Sequence, residues 1–185
     1  MFIVKRYFLP LLTLIGGLLL IATVHAECQI QLSDAQIAYP SATRGELLGY
    51  PGNALNSAEL RFGDARNLTI QVSCDRPAQL TLAFNGAAKD SDSYLFGDNG
   101  RATLTLSDVF IDGQPVAIDD EGRQASEMNF TPGHVLRFRQ NGSLATGTTL
   151  RGKVSVSAWV PAQATRVNER KSWELNGAFV IGSTG

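Results

Sequence analysis

The two cysteines carry the clearest chemical signal in this chain. Cys28 and Cys74 are separated by 46 positions. In an exported protein an even pair of cysteines is typical of one disulfide bond, and two cysteines allow a single connectivity. A zinc site usually needs more ligands than two thiolates, and only His134 could join them outside the leader segment described below. The sequence therefore predicts a disulfide between Cys28 and Cys74 and no metal site.

A search for catalytic groups finds no arrangement that could perform a reaction. His134 is the only histidine beyond the leader, so a Ser/His/Asp triad could form only around it. It lies beside Val135 at the start of a predicted strand, where a surface or core histidine is the better interpretation. The acidic residues fall in predicted hairpin loops, without the apolar surroundings that would separate the pKa values of a glycosidase pair. We therefore predict neither an enzyme nor a bound cofactor; the acidic residues considered are Asp108, Asp112, Asp119, Asp120 and Glu121.

Charge and composition place the chain among ordinary globular proteins. Its 185 residues are 44% hydrophobic and 18% charged, and 16 basic residues oppose 17 acidic ones. A protein that binds nucleic acid through phosphates needs a surplus of basic side chains, which this sequence lacks. We therefore expect no nucleic-acid partner.

The first 26 residues have the pattern of a secretory signal. Lys5 and Arg6 precede an uncharged apolar run over residues 7–24, and Val24 and Ala26 occupy the two positions that a signal peptidase reads. An uncleaved anchor is the alternative, because the run is close to the shortest length that spans a bilayer. The sequence predicts a signal peptide over residues 1–26 and a single domain over residues 27–185.

Apolar and polar residues alternate through most of the remaining chain. A period of two is typical of antiparallel strands with one buried face and one solvated face, and no stretch shows three turns of helical periodicity. Asn-Gly and Asp-Gly pairs predict tight turns at residues 85–86, 99–100, 112–113 and 141–142. The expected fold class is therefore all-β, an antiparallel β-sandwich. The alternating runs lie at residues 68–74, 80–84, 102–106, 135–138 and 153–160.

Residues 40–56 lack this periodicity and are predicted to form a long connection. They include Tyr50-Pro51 and directly follow Tyr39, so a binding loop over residues 39–51 is the alternative to a simple crossover between sheets. Tyr94 and Phe96 are expected at the surface.

The order of these features along the chain is informative. Cys28 lies on the opening strand, Cys74 ends an alternating strand and is followed by Pro77, and a Thr-Gly-Thr stretch at residues 146–148 precedes a late valine-rich strand. This layout covers essentially the whole mature chain. It resembles the subunits of chaperone-usher pili, also called fimbriae.

The resemblance implies an immunoglobulin-like sandwich that lacks its last strand. In that family a periplasmic chaperone, and later the N-terminal extension of the next subunit, adds the missing strand to an apolar groove. The implied partners are therefore the chaperone, an outer-membrane usher and other pilus subunits, and the implied route is export through the periplasm to the cell surface. Because only Glu27 would precede Cys28 after cleavage, the chain is expected to accept a donor strand without providing one, as a minor or tip subunit would.

Two sets of residues are expected to line this groove or to contact the chaperone. The first set is the apolar face of the late strand, and the second is the alternating face of the C-terminal tail. We expect the tail to be one continuous strand, with a hairpin at Asn176-Gly177 as the alternative. The two sets are Val154, Val156 and Ala158, and Trp173, Leu175, Gly177, Phe179 and Ile181.

Two functional hypotheses follow from the sequence. The first is a structural or adhesive fimbrial subunit, for which an adhesive role would add a host receptor or glycan as a partner. The second is a self-complete exported β-sandwich that binds a carbohydrate or a protein through its loops.

Overall fold

The described part of the chain is almost entirely β-structure, with one short α-helix. The computed structural model describes residues 26–34, 39, 42–165 and 173–184, so the predicted signal peptide lies outside the described residues apart from Ala26. The elements are β1 Cys28–Leu32, α1 Arg44–Leu48, β2 Glu59–Arg61, β3 Arg66–Gly86, β4 Tyr94–Phe96, β5 Gly100–Ile111, β6 Gln114–Pro115, β7 Ala117–Asp120, β8 Arg123–Ala125, β9 Glu127–Asn129, β10 Leu136–Gln140, β11 Ser143–Leu144, β12 Thr146–Pro161, a 3-10 turn Ala162–Thr165, and β13 Gly177–Thr184.

Every strand pair is antiparallel, and the sheet curls on itself. The strand order is β4-β5-β12-β3-β10-β7-β8, with the remaining strands attached to these at their edges. The alternation of buried and exposed residues along β12 and β3 matches the period of two in the sequence, because successive side chains of a strand point to opposite faces. The predicted all-β, sandwich-like fold is confirmed.

The long strand β3 connects the two layers of the sandwich. Its first part, residues 66–74, lies between β1 and β12, whereas its second part, residues 79–86, lies mainly between β13 and β10. The strand passes from one layer to the other at Pro77, where three consecutive residues are exposed. Side chains from both parts belong to one buried core, so the strand must bend through this point.

The predicted turn at residues 85–86 is wrong. Asn85 and Gly86 remain in β3 and pair with β13. By contrast, Asp112-Gly113 and Asn141-Gly142 do form tight turns with positive φ at both residues, between β5 and β6 and between β10 and β11. At residues 85–86, backbone pairing with β13 therefore takes the place of a turn.

A second, smaller core closes one end of the sandwich. It contains Leu47 of α1, Phe62 and Phe96, with Tyr39 and Trp173 packed against it. The predicted long connection over residues 40–56 thus contains a helix, which begins at a capping box between Thr43 and Glu46 and buries Leu47.

Tyr94 and Phe96 are not surface residues. Both are fully buried, because β4 forms an edge of the curled sheet and turns these two side chains inward. Burial raises the pKa of Tyr94 to about 12, and its hydroxyl donates a hydrogen bond to the carbonyl oxygen of Phe84 at 3.1 Å.

The predicted disulfide is present. Cys28 of β1 and Cys74 of β3 are directly opposite each other in the ladder, with their Cα atoms 4.1 Å apart. The bond therefore fixes the start of β1 at the end of the first part of β3. It closes a loop of 46 residues, for which chain entropy gives a stabilisation of about 4 kcal/mol.

We expect the double substitution Cys28→Ala with Cys74→Ala to lower the free energy of unfolding by about 2–5 kcal/mol. Denaturant unfolding monitored by tryptophan fluorescence would measure the loss. The unsubstituted protein in excess reductant is the matched control and should show a similar loss. Equal midpoints for the oxidised protein and the double variant would contradict a stabilising role for the bond.

Candidate functional site: the edge shared by the first and last strands

The first and last strands lie end to end along the same edge of β3. β1 pairs with residues 70–74 of β3 and β13 pairs with residues 79–86, both in the antiparallel direction. The end of β13 meets the start of β1, where the Ser183 hydroxyl donates a hydrogen bond to the Ala26 carbonyl oxygen at 2.8 Å. Within the part of the chain that the structure describes, both strands form a ladder with β3 alone. Their outer edges therefore present backbone groups that an added strand could pair with.

A cavity of about 260 Å³ opens beside this edge, and its lining combines apolar side chains with the polar residues Asp34, Glu174 and Asn176. Leu32, Leu68 and Val156 line it from the layer that contains β1, and Phe84 and Phe179 line it from the layer that contains β13. Leu68 and Val156 belong to the main core. The cavity is thus a part of the sandwich interior that remains open at the edge between its two layers.

The structure places the predicted residues of the late strand in the interior. β12 is a central strand, paired on one side with β5 and on the other with β3 and β2, so no further strand can be added to it where these pairs form. Val154 and Val156 lie in the main core and Ala158 in the smaller one. Of the three, only Val156 lines the cavity.

The tail residues lie closer to the open edge. Leu175, Gly177 and Phe179 line the cavity, whereas Ile181 packs against the main core and Trp173 against the smaller core. The ring of Phe179 contacts the ring of Phe84, with centroids 5.0 Å apart. The structure therefore brings together three of the five predicted tail residues at the cavity.

The tail forms a single strand that begins at Gly177. The hairpin alternative is wrong, and the continuous strand is shorter than predicted, because residues 173–176 precede the ladder. Trp173 instead stacks on Phe96, with ring centroids 5.9 Å apart. Residues 173–176 thus pack toward the smaller core and do not join the β3 ladder.

Tyr39, which the sequence predicts in a loop, lines the cavity. Its ring packs edge-on against Phe96 at 5.1 Å between centroids, and it lines the cavity beside Leu32. Its hydroxyl oxygen is buried and has no hydrogen-bond partner among the described residues, and burial raises the pKa of the phenol. The aromatic-proline pair at residues 39–40 was a visible signal, but its partners are distant in sequence.

The acidic residues considered above lie in ion pairs, in turns and at a bulge. Asp119 is buried, and the amide of Gly122 and the guanidinium of Arg139 hold the pKa of its carboxyl group below the usual range. Asp108, Asp112 and Glu121 lie at turn or bulge positions with positive φ. Among the described residues there is no group of three or more side chains that could hold a metal ion.

His134 forms an ion pair with a buried carboxylate. Its Nδ1 atom lies 3.0 Å from Oδ1 of Asp120, a residue that is 8% exposed. The hydrogen bond with Asp120 raises the pKa of His134. Neither residue of the pair lines the cavity.

No helix in the described ranges is long and apolar enough to cross a membrane.

We expect Gly177→Ala to loosen the last strand. A Cβ atom at residue 177 would lie 2.7 Å from the carbonyl oxygen of Asn85, which is part of the β3 ladder and cannot move away freely. The predicted cost is about 1–3 kcal/mol of unfolding free energy, with faster amide hydrogen exchange in β13.

Gly182→Ala is the matched control for this substitution. A Cβ atom there would meet only the hydroxyl of Thr81, a side-chain group that can rotate, so the cost should stay below about 1 kcal/mol. Equal stability of the two variants would contradict a specific need for glycine at residue 177.

We expect stability to fall as the pH rises from about 6 to 8, through loss of the His134 ion pair. A histidine whose pKa is raised on folding contributes fully below its unfolded pKa of about 6.5, and the contribution is lost as the pH passes its folded pKa. Urea unfolding across this range would measure the slope. His134→Gln should flatten it, and an unchanged slope in that variant would contradict the assignment.

Comparison with known proteins leaves the family of this chain open. Neither the family models, nor the curated proteins, nor the solved structures contain a match to it. The resemblance to pilus subunits therefore remains a hypothesis, and the function has to be argued from the open edge and its cavity.

Proposed function

We propose that this protein is a structural or adhesive subunit of a chaperone-usher type fimbria, and that it accepts a donor strand at the edge formed by β1 and β13. The observation that carries the proposal is the cavity between the two layers at this edge, whose apolar lining includes Leu32, Leu68 and Phe179. A soluble protein gains stability when such a surface is covered, and a strand can cover it while pairing with an exposed edge.

The shape of the site supports a strand in preference to a compact ligand. The unpaired edge extends along the eight residues of β13, and the cavity lies under its first part, where Gly177 and Phe179 line it. An extended segment could place one apolar side chain in the cavity while its backbone follows β13. Its next side chains would point alternately toward the core and toward solvent.

The disulfide supports the export that this function requires. Disulfides form and persist in oxidising compartments such as the periplasm, and Cys28 and Cys74 are bonded here. The periplasmic chaperone, the usher and neighbouring subunits are the proposed partners, and the cell surface is the proposed location.

The second hypothesis from the sequence receives less support. A binding loop over residues 39–51 would present its side chains to solvent. Instead, Leu47 is buried, and Tyr39 and Tyr50 pack against the smaller core. The loop therefore packs against the smaller core, and the apolar side chains of Leu47, Tyr39 and Tyr50 are in contact with that core instead of being free to bind a ligand.

The proposal predicts that the chain is recovered from the periplasm mainly as a one-to-one complex with a pilus chaperone. A synthetic peptide of alternating apolar and polar residues should then displace the chaperone and raise the thermal midpoint of the subunit. Size exclusion and thermal unfolding would measure both effects. A stable monomer that needs no chaperone and ignores the peptide would support the self-complete sandwich instead.

A matched pair of leucine substitutions tests whether the peptide uses the cavity. Leu175→Gln changes a cavity residue, and we expect it to weaken peptide binding by about tenfold, the effect of losing one buried apolar contact. Leu144→Gln makes the same chemical change in the β10–β11 hairpin, on a side chain that does not line the cavity, and should leave the affinity within about twofold. Equal effects of the two substitutions would place the peptide elsewhere.

A further inference from the structure

A second cleft lies on the outer face of the sheet, where β3, β12 and β5 run side by side. It has a volume of about 700 Å³ and shares no lining residue with the cavity at the open edge. A β-bulge shapes it: between Arg151 and Lys153 of β12 the pairing shifts from Phe110 to Ser107 of β5, so β5 holds one extra residue there. Asp108, at the bulge, has a positive φ of 51°. Bulges bend a strand locally and redirect its side chains.

Two positively charged side chains, those of Arg151 and Lys153, line this cleft. Arg151 and Lys153 alternate outward on β12, and both are exposed. Neither side chain has a hydrogen-bond or ion-pair partner in the described part of the chain, whereas the side chains of Arg76, Arg101 and Arg139 are each paired with a carboxylate. Among the described residues, Asp108 is the only carboxylate that lines the cleft. The cleft therefore carries a net positive charge in a protein whose formal net charge is −1.

The two sides of the cations offer different chemistry. Directly across from Arg151 on β5 is Phe110, which is 40% exposed, and directly across on β3 is Gln71. Thr69, opposite Lys153, adds a hydroxyl group. An exposed aromatic ring can cover the apolar face of a pyranose, and amide and hydroxyl groups can bond to its hydroxyls.

We propose that this cleft binds a carboxylate-bearing glycan, with Arg151 and Lys153 on the carboxylate and Phe110 against a sugar ring. The planar guanidinium matches a carboxylate with two parallel hydrogen bonds, which favours arginine as the main contact. The cleft is open to solvent, so a saccharide chain can enter and leave it along the sheet, and Asp108 accepts hydrogen bonds from sugar hydroxyls. A duplex nucleic acid is disfavoured by the acidic balance of the chain.

This assignment gives a ligand class to the adhesive part of the proposed function. It does not depend on strand acceptance, because the cleft is on the outer face of the sheet and the donor site is at its edge. Failure to bind a donor peptide and failure to bind a glycan are therefore separate results.

Binding of the full chain to oligosialic acid, measured by biolayer interferometry at physiological salt, tests the proposal. We expect saturable binding that is at least about tenfold weaker in the double variant Arg151→Gln with Lys153→Gln. Arg151→Lys keeps the charge but loses the paired hydrogen bonds, and it should give an intermediate loss. Phe110→Ala should weaken binding several-fold. Thermal unfolding of each variant shows that the fold is kept.

The double variant Lys89→Gln with Arg123→Gln is the matched control. It makes the same change in net charge at exposed residues that do not line the cleft, and its affinity should stay within about twofold. Equal losses in the two double variants would show nonspecific charge attraction and overturn the proposal. So would preferential binding to dextran sulfate, which carries sulfates and no carboxylates, or to anionic lipid vesicles, equal binding to a neutral dextran, or no binding to oligosialic acid.

Discussion

The structure depends on one strand that belongs to both layers. Strand β3 pairs with β1 and β12 before its bend and mainly with β13 and β10 after it, so four ladders meet on a single segment of 21 residues. Because the backbone groups of buried strands must be hydrogen-bonded, its path determines where the neighbouring strands lie. The inward residues from Leu68 to Phe84 then supply core to both layers. The cavity at the open edge is a direct result, since the two ends of the same strand line it.

The sequence predicted the elements whose signals are local. Alternation identified the buried faces of β3, β5 and β12, and the two cysteines identified the bond between β1 and β3. The turn predicted at residues 112–113 is correct, because the two strands that it joins are neighbours in the sequence. The turn predicted at residues 85–86 is wrong, because Gly86 pairs with Gly177 of β13, which lies 91 positions later in the chain. The pattern of residues near Asn85 contains no information about that distant partner.

The candidate site was predicted less well because it is a product of tertiary packing. Which of several apolar faces remains open cannot be read from alternation, since Val154 and Phe179 carry the same local signal. The structure distinguishes them: Val154 lies on a central strand, and Phe179 lies on a strand with one unpaired edge. Tyr39 and the cations of the outer cleft were missed for the same reason, because their neighbours come from strands far apart in the chain.

The end-to-end arrangement of β1 and β13 has a consequence for how the chain folds during synthesis. β1 can pair with β3 as soon as β3 has been synthesised. Residues 79–86 of β3 can pair along the same edge only after residues 177–184 have been synthesised. Until then Leu80, Leu82 and Phe84 lack their final cover on that side. Pairing over such long sequence separations slows folding and prolongs the exposure of aggregation-prone edges. The newly made chain therefore passes through a stage in which β1 alone protects this edge of its longest strand, along residues 70–74.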